Sequence, residues 1–293
     1  MMKDRFVGSI EAGGTKFIVA VEDVKNNNVI AKDRISTENP KETLKECATF
    51  FKKHPIDALG IGTFGPIDIN KNSRTYGYIL DTPKHGWSGT NFKGFFEKEL
   101  NIPVAMTTDV NASAYGEYIA RGKNETNTYF YVTIGTGIGA GNVQAGKFVG
   151  LNNHPEMGHM LITPYPGDDF KGSCPFHGNK CVEGMAAGPS LQGRTGIPGE
   201  KLSRDNIVFT YSAYYLAQML FNAYMTLRPD VMVVGGSVLN EDDLVKVRKY
   251  FDEFNNNYVA TPNLNDLIVM PAVTENGSAT LGNFEMAKAI LED

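Results

Sequence analysis

The sequence predicts an α/β protein made of two related halves. Two glycine-rich hairpin patterns begin about 120 residues apart, at Phe6 and Tyr129, a spacing that fits one duplicated domain and not a solenoid array. Apolar strand-like runs alternate with helical patterns in each half. A chain of 293 residues is long enough for two domains, and its 42% apolar and 21% charged residues exclude disordered and fibrous classes.

Phe6 to Val21 reads as an apolar strand, a glycine turn at Gly13-Gly14, and a second apolar strand. Lys41 to Lys53 has helical periodicity, with Leu44, Cys47 and Phe51 on its apolar face, so Cys47 is a small core hydrophobe. Ala58 to Thr63 reads as a strand, and Trp87, the single tryptophan, as a packing residue. Val104 to Thr108 reads as a strand leading into a helix over Asn111 to Arg121. The second hairpin runs from Tyr129 to Val149 and turns through Gly135-Thr136-Gly137-Ile138-Gly139-Ala140-Gly141. Tyr165 to Gly184 is loop-like, and a loop of that length needs something to hold it. A helix over Ser203 to Leu227, a short strand at Val231 to Val234 and a terminal helix over Ser278 to Leu291 complete the chain.

Charge and cysteine content narrow the function. Twenty-eight basic against 33 acidic residues leave a net charge of −5, which argues against nucleic acid as a partner, since phosphate neutralisation needs clustered positive charge. No apolar run reaches the roughly 18 residues of a membrane span, and a strand-like run begins almost at the first residue, where a secretory leader would need its apolar core. Three cysteines, an odd number, fit a reducing compartment. The expectation is a soluble cytoplasmic protein.

Four groups of residues can carry chemistry. The glycines from Gly135 to Gly141 fit a loose dinucleotide pattern, but a strand-like run follows where that fold requires a helix. Glycine turns at matching places in two halves, Gly13-Gly14-Thr15-Lys16 and Gly135 to Gly141, can bring backbone N–H groups to the phosphates of one nucleotide, or can serve only for tight turning. Lys16 adds charge there or is simply solvated, and the absence of G-x-x-x-x-G-K-[ST] excludes a P-loop. Asp109 lies at the carboxyl end of a strand, where open α/β sheets hold ligands, and at a helix start, where Asp is a common cap. His159, Cys174, His177 and Cys181 offer four nitrogen and sulfur ligands, three within eight residues. That set fits a closed structural Zn2+ site bracing the loop after Ile162, against a chance grouping. Glu156 and Glu183 flank it, either as partners for ligand hydroxyls or as surface carboxylates.

In this order the motifs resemble the ROK sugar kinases of the actin/hexokinase superfamily, most closely the zinc-containing bacterial fructokinases. Ile10-Glu11-Ala12-Gly13-Gly14-Thr15-Lys16 looks like the first phosphate motif, Ile134 to Gly139 like the second and Val233-Val234-Gly235-Gly236-Ser237 like the adenosine-side motif. His154-Pro155-Glu156-Met157-Gly158-His159, with Cys174-Pro175-Phe176-His177 and Cys181-Val182-Glu183, looks like the family signature and zinc knuckle. Gly62 to Asp68 and Thr82-Pro83-Lys84-His85-Gly86-Trp87 fit the fructokinase branch.

The resemblance implies an actin-like, hexokinase-like (ribonuclease H-like) fold with a cleft between duplicated domains. It divides the chain into residues 1–110 with 278–293, and residues 111–277 carrying a zinc-braced loop at 159–184. It implies ATP-dependent phosphorylation of fructose to fructose 6-phosphate, with mannose, glucose or an N-acetylhexosamine as alternative sugars and a homodimer as the assembly. A sugar-responsive regulator of the same family is the other alternative, and there a helix-turn-helix of about 60–80 residues would precede the first hairpin. By resemblance Asp109 is the general base, and Gly65, Asp109, Glu156, His159 and Glu183 bind the sugar. Gly13, Gly14, Thr15, Lys16, Thr136, Gly137, Gly235 and Gly236 bind ATP with Mg2+. Two departures stand out: Thr108 precedes Asp109 where many members have Asn, and His177 replaces a Cys of the commoner knuckle.

Overall fold

A computed structural model describes residues 5–292. Two five-stranded sheets repeat one plan. In the first, β1 (Phe6–Ala12) pairs antiparallel with β2 (Lys16–Asp23) and parallel with β4 (Ala58–Thr63), β5 (Val104–Thr108) lies beyond β4, and β3 (Asn28–Ser36) lies outside β2. In the second, β6 (Thr128–Ile134) pairs antiparallel with β7 (Ile138–Gln144) and parallel with β9 (Val231–Gly236). There β10 (Ile268–Val269) lies beyond β9, and β8 (Lys147–Phe148) is a two-residue edge strand. The order 3-2-1-4-5 thus returns as 8-7-6-9-10, which bears out the duplication read from the two hairpins. Because a strand and not a helix follows the second glycine turn, the loose dinucleotide pattern there is a hairpin.

The chain divides into two compact units. The first holds residues up to Lys123, Gly146–His154 and the segment from Val273; the second holds Asn124–Ala145 and Pro155–Ala272. The first unit therefore runs past the break expected after residue 110, because the helix Asp109–Ala120 packs within it. That helix, α3, crosses the terminal helix α9 (Ser278–Glu292) at glycine: a Cβ on Gly116 would stand 1.9 Å from the Ser278 carbonyl oxygen, and one on Gly282 2.0 Å from that of Ala112. Trp87 is fully buried among Phe17, Phe64 and Phe92, as its packing role predicts. Cys47 is buried in α1 (Pro40–Lys53).

In the second unit α6 begins at Ile207 and not at Ser203. The Asn206 side chain accepts from Val208 N at 3.1 Å and caps the helix there, so the preceding polar residues stay in a turn. Its apolar residues build the main core with β6, β9 and α7 (Glu241–Asn255). Among the described residues no helix is long and apolar enough to cross a membrane.

Candidate functional site

In the first unit, β1 and β2 turn through Gly13-Gly14-Thr15. Gly13 N donates to Lys16 O at 3.0 Å, and Thr37 clamps the turn from outside: its N donates to Thr15 O at 3.1 Å and its hydroxyl to Gly13 O at 2.9 Å. A side chain at Gly14 would meet nothing within 4 Å, so the tip presents open backbone, the condition for a close anionic ligand.

Asp109 is the first residue of α3 and follows β5 directly. The cap is Thr108, whose hydroxyl accepts from Asn111 N at 3.2 Å. The capping alternative for Asp109 thus falls: Thr108 holds the helix end and leaves the half-buried carboxylate one residue further on, with Oδ1 accepting from Val110 N at 2.9 Å. Glu11, on β1, senses that carboxylate. Burial first, and then the charge of Asp109, raise its carboxyl to about 7, while Lys16 and Lys32 oppose the rise. Gly65 sits in the loop after β4, where its carbonyl oxygen accepts from the Thr82 hydroxyl at 3.3 Å. His154 accepts from Ile67 N through Nε2 at 3.2 Å.

The second unit gathers the four proposed metal ligands. One donor atom each from His159, Cys174, His177 and Cys181 all lie within 4.8 Å of one another. Cys174 Sγ stands 3.8 Å from His159 Nδ1 and 3.7 Å from His177 Nδ1. A tetrahedral cation with bonds of about 2.0–2.3 Å separates nitrogen and sulfur donors by roughly 3.6 Å, so these edges suit one. Each sulfur also accepts a backbone N–H at 3.4 Å, from His177 to Cys174 and from Gly184 to Cys181. Burial pushes the Cys181 thiol up to about 11, so a thiolate there calls for a cation beside it.

Backbone contacts close the knuckle. Gly178 N donates to Cys174 O at 2.9 Å, and Cβ atoms on Gly172 and Gly184 would stand 2.0 and 2.1 Å from Gly178 O. A second brace holds the other end of the loop, one not expected from the sequence: Arg194 grips Asp168 through Nε at 3.1 Å and Nη2 at 2.7 Å, and the Tyr215 hydroxyl donates to the same carboxylate at 2.7 Å.

Glu183 lies in α4 (Val182–Ala186), directly after the knuckle. Its Oε2 accepts from Ile138 N at 3.0 Å, while Oε1 stands 4.0 Å from His159 Nε2. His159 therefore turns one ring nitrogen to the sulfur cluster and the other towards Glu183. Glu156 is exposed and precedes the turn Met157–His159, which packs so closely on β7 that a Cβ on Gly158 would lie 1.8 Å from Ile138 O.

A cavity of about 620 Å³ opens in the same unit, lined by Gly135, Thr136, Gly188, Gln192, Arg204 and Ser237 among others. Arg204 is held across the Phe209 ring at 4.4 Å and anchored to Val238 O at 2.8 Å and Asp243 Oδ2 at 3.1 Å. Of the expected nucleotide residues in this unit, Thr136 lines the cavity, while Gly137, Gly235 and Gly236 do not. Gly235 and Gly236 instead allow β9 to pack closely on β6: Cβ atoms there would stand 2.2 Å from the Tyr131 hydroxyl and from Ile134 O.

The ROK family model matches residues 7–290. The chain belongs to the ROK family. It is 48% identical to a fructokinase of Streptococcus mutans over 98% of both chains. It is 46% identical to a fructokinase of Lactococcus lactis subsp. cremoris over 97% of this chain and 98% of that one. Its fold is similar to that of a ROK hexokinase from Thermus thermophilus, with a TM-score of 0.79 at 22% identity, covering 98% of this chain and 99% of that one. The actin-like fold expected from the motifs is thus borne out.

Within this ROK chain the sequence reading assigned no role to Glu11, Arg204 or Gln192. Glu11 had a signal: a carboxylate inside an otherwise apolar strand is a cost that fold alone does not explain. Arg204 and Gln192 had none, because only the folded chain brings them to the Gly135–Thr136 turn.

Proposed function

We propose that this protein transfers the γ-phosphoryl group of ATP to a hexose, converting fructose to fructose 6-phosphate. The observation that carries the reading is the full-length identity of 48% to a chain named fructokinase. The geometry of each unit supports it. Asp109, which does not cap α3, accepts the proton of the attacking sugar hydroxyl, a role that needs an ionised carboxylate within hydrogen-bond reach. Phosphoryl transfer depends on positioning and charge stabilisation more than on covalent chemistry, and this reading gives that task to the Gly13-Gly14-Thr15-Lys16 turn, open at Gly14, and to the Gly135–Thr136 side of the second turn. The 620 Å³ cavity suits the nucleoside, with Arg204 offering a flat cationic face, and Gly235 and Gly236 immediately precede its lining residue Ser237. Mg2+, if carried with the nucleotide, would supply further positive charge to offset that of the phosphates.

Gly65, Glu156, His159 and Glu183 are assigned to the sugar. His159 and Glu183 are set by the knuckle, whose two thiols and two imidazoles suit a structural Zn2+: four protein ligands leave no open position for a catalytic water. A homodimer is the assembly this reading carries. ADP release measured across a panel of fructose, mannose, glucose and N-acetylhexosamines is the test. Fructose should give the highest kcat/KM. Turnover of none of these sugars overturns the kinase, and preference for another hexose overturns the substrate.

A further inference from the structure

The loop Thr82–Trp87 matches a motif to which the reading above gives no task, yet it delivers a cation to the first glycine turn. The Lys84 ammonium donates to Gly14 O and lies 5.6 Å from the centre of the Phe64 ring. The loop is fastened: Lys84 N donates to the Thr82 hydroxyl at 3.4 Å, that hydroxyl donates to Gly65 O, and Trp87 N donates to Lys84 O at 3.2 Å. Phe64, which carries the ring, is itself tied to the hairpin through its N–H to Ala12 O at 3.0 Å.

Among the described residues no carboxylate pairs with Lys84. Partial burial alone acts on its ammonium and lowers its pKa. A partly shielded ammonium with no anionic partner is available to a bound anion. Two of its three N–H donors are unspent by the Gly14 contact, and the space above Gly14 is open.

We propose that Lys84 is a phosphoryl-binding residue of the first glycine turn, its ammonium held at Gly14 to receive the terminal phosphate oxygens of the nucleotide and to offset the charge spread over them during transfer. The assignment rests on the kinase reading. In the transfer the γ-phosphorus bonds to the sugar oxygen as its bond to the β-bridging oxygen breaks, the proton passes to Asp109 and ADP departs with the bond electrons, while Lys84 gives and takes no proton.

The test compares Lys84→Met, Lys84→Gln and Lys84→Arg with the unaltered chain. Met and Gln should each lower kcat by roughly 10²- to 10³-fold, the range for removing one preorganised donor to a developing charge, with the fructose KM held within about threefold. Arg should restore turnover to within roughly tenfold of the unaltered chain. The decisive readout is calorimetric: Met should weaken ATP by roughly tenfold or more and leave ADP unchanged, since only ATP carries the γ-phosphate. Turnover unchanged in both Met and Gln, or equal weakening of ATP and ADP, overturns the assignment of Lys84 alone. An unaltered chain that binds neither nucleotide overturns the kinase reading and this assignment with it.

Discussion

The two hairpins turn through glycine at the same place in the same strand order, yet the side chains set against them carry opposite charge. Lys84 stands against Gly14, with open space above the turn. Glu183 stands against Gly137, where a Cβ would lie 2.8 Å from Oε2, and its carboxylate is spent on Ile138 N. Duplication thus supplied two equivalent backbone turns, and the loops inserted around each decided what it can hold. A cation beside open N–H groups suits a phosphate. A carboxylate behind a glycine repels one, which leaves the Gly135–Thr136 side, facing the cavity, as the part of the second turn suited to the nucleotide.

Two substitutions break this comparison from either side. The larger effect is expected from Asp109→Asn in the first unit. It should lower kcat by roughly 10²- to 10⁴-fold, the range for a positioned general base, while the sugar KM and the melting temperature hold, because Thr108 and not Asp109 caps α3. Steady-state kinetics with a thermal melt check it, and near-normal turnover removes Asp109 from the base role. Cys174→Ser or chelation should act through order in the second unit. With one ligand lost, the loop bearing His159 and Glu183 loosens, and kcat/KM for the sugar falls by roughly 10- to 100-fold along with the melting temperature. Metal analysis by mass spectrometry should find one zinc per chain in the unaltered protein. No zinc, with activity intact after chelation, overturns the structural metal.

Hairpins, helices and the four-ligand cluster were legible because each rests on local pattern: alternation, a 3.6 period, or donors close in sequence. The cluster is the strongest case, since Cys174, His177 and Cys181 lie within eight residues and only His159 comes from outside that knuckle. What was not legible arises from contacts distant in sequence. Arg194 and Asp168 are 26 residues apart, Lys84 and Gly14 are 70 apart, and no periodicity links either pair. Asp109 falls between these cases: a helix after β5 was legible, but its start at Asp109 and not Asn111, with Thr108 as the cap, depended on a choice that backbone geometry made.

Glu11 sharpens the contrast from within the first unit, by a smaller effect on stability. Its carboxyl titrates near 7 in the folded chain against an ordinary 4.5, so between those values the folded state holds the extra proton. Stability therefore falls as pH rises through that window: the penalty is absent below about 4.5 and complete above about 7. Glu11→Gln, which stays neutral throughout, should match the unaltered protein at pH 4 and exceed it at pH 8. A gap of about 2 kcal/mol is expected after discounting for solvent screening of a partly exposed group. Urea unfolding at pH values from 4 to 8, without nucleotide, measures it, and a gap that does not vary with pH shows that folding does not raise the Glu11 pKa. In an Asp109→Asn background the gap should narrow but persist, because burial is the larger cause and the Asp109 charge the lesser.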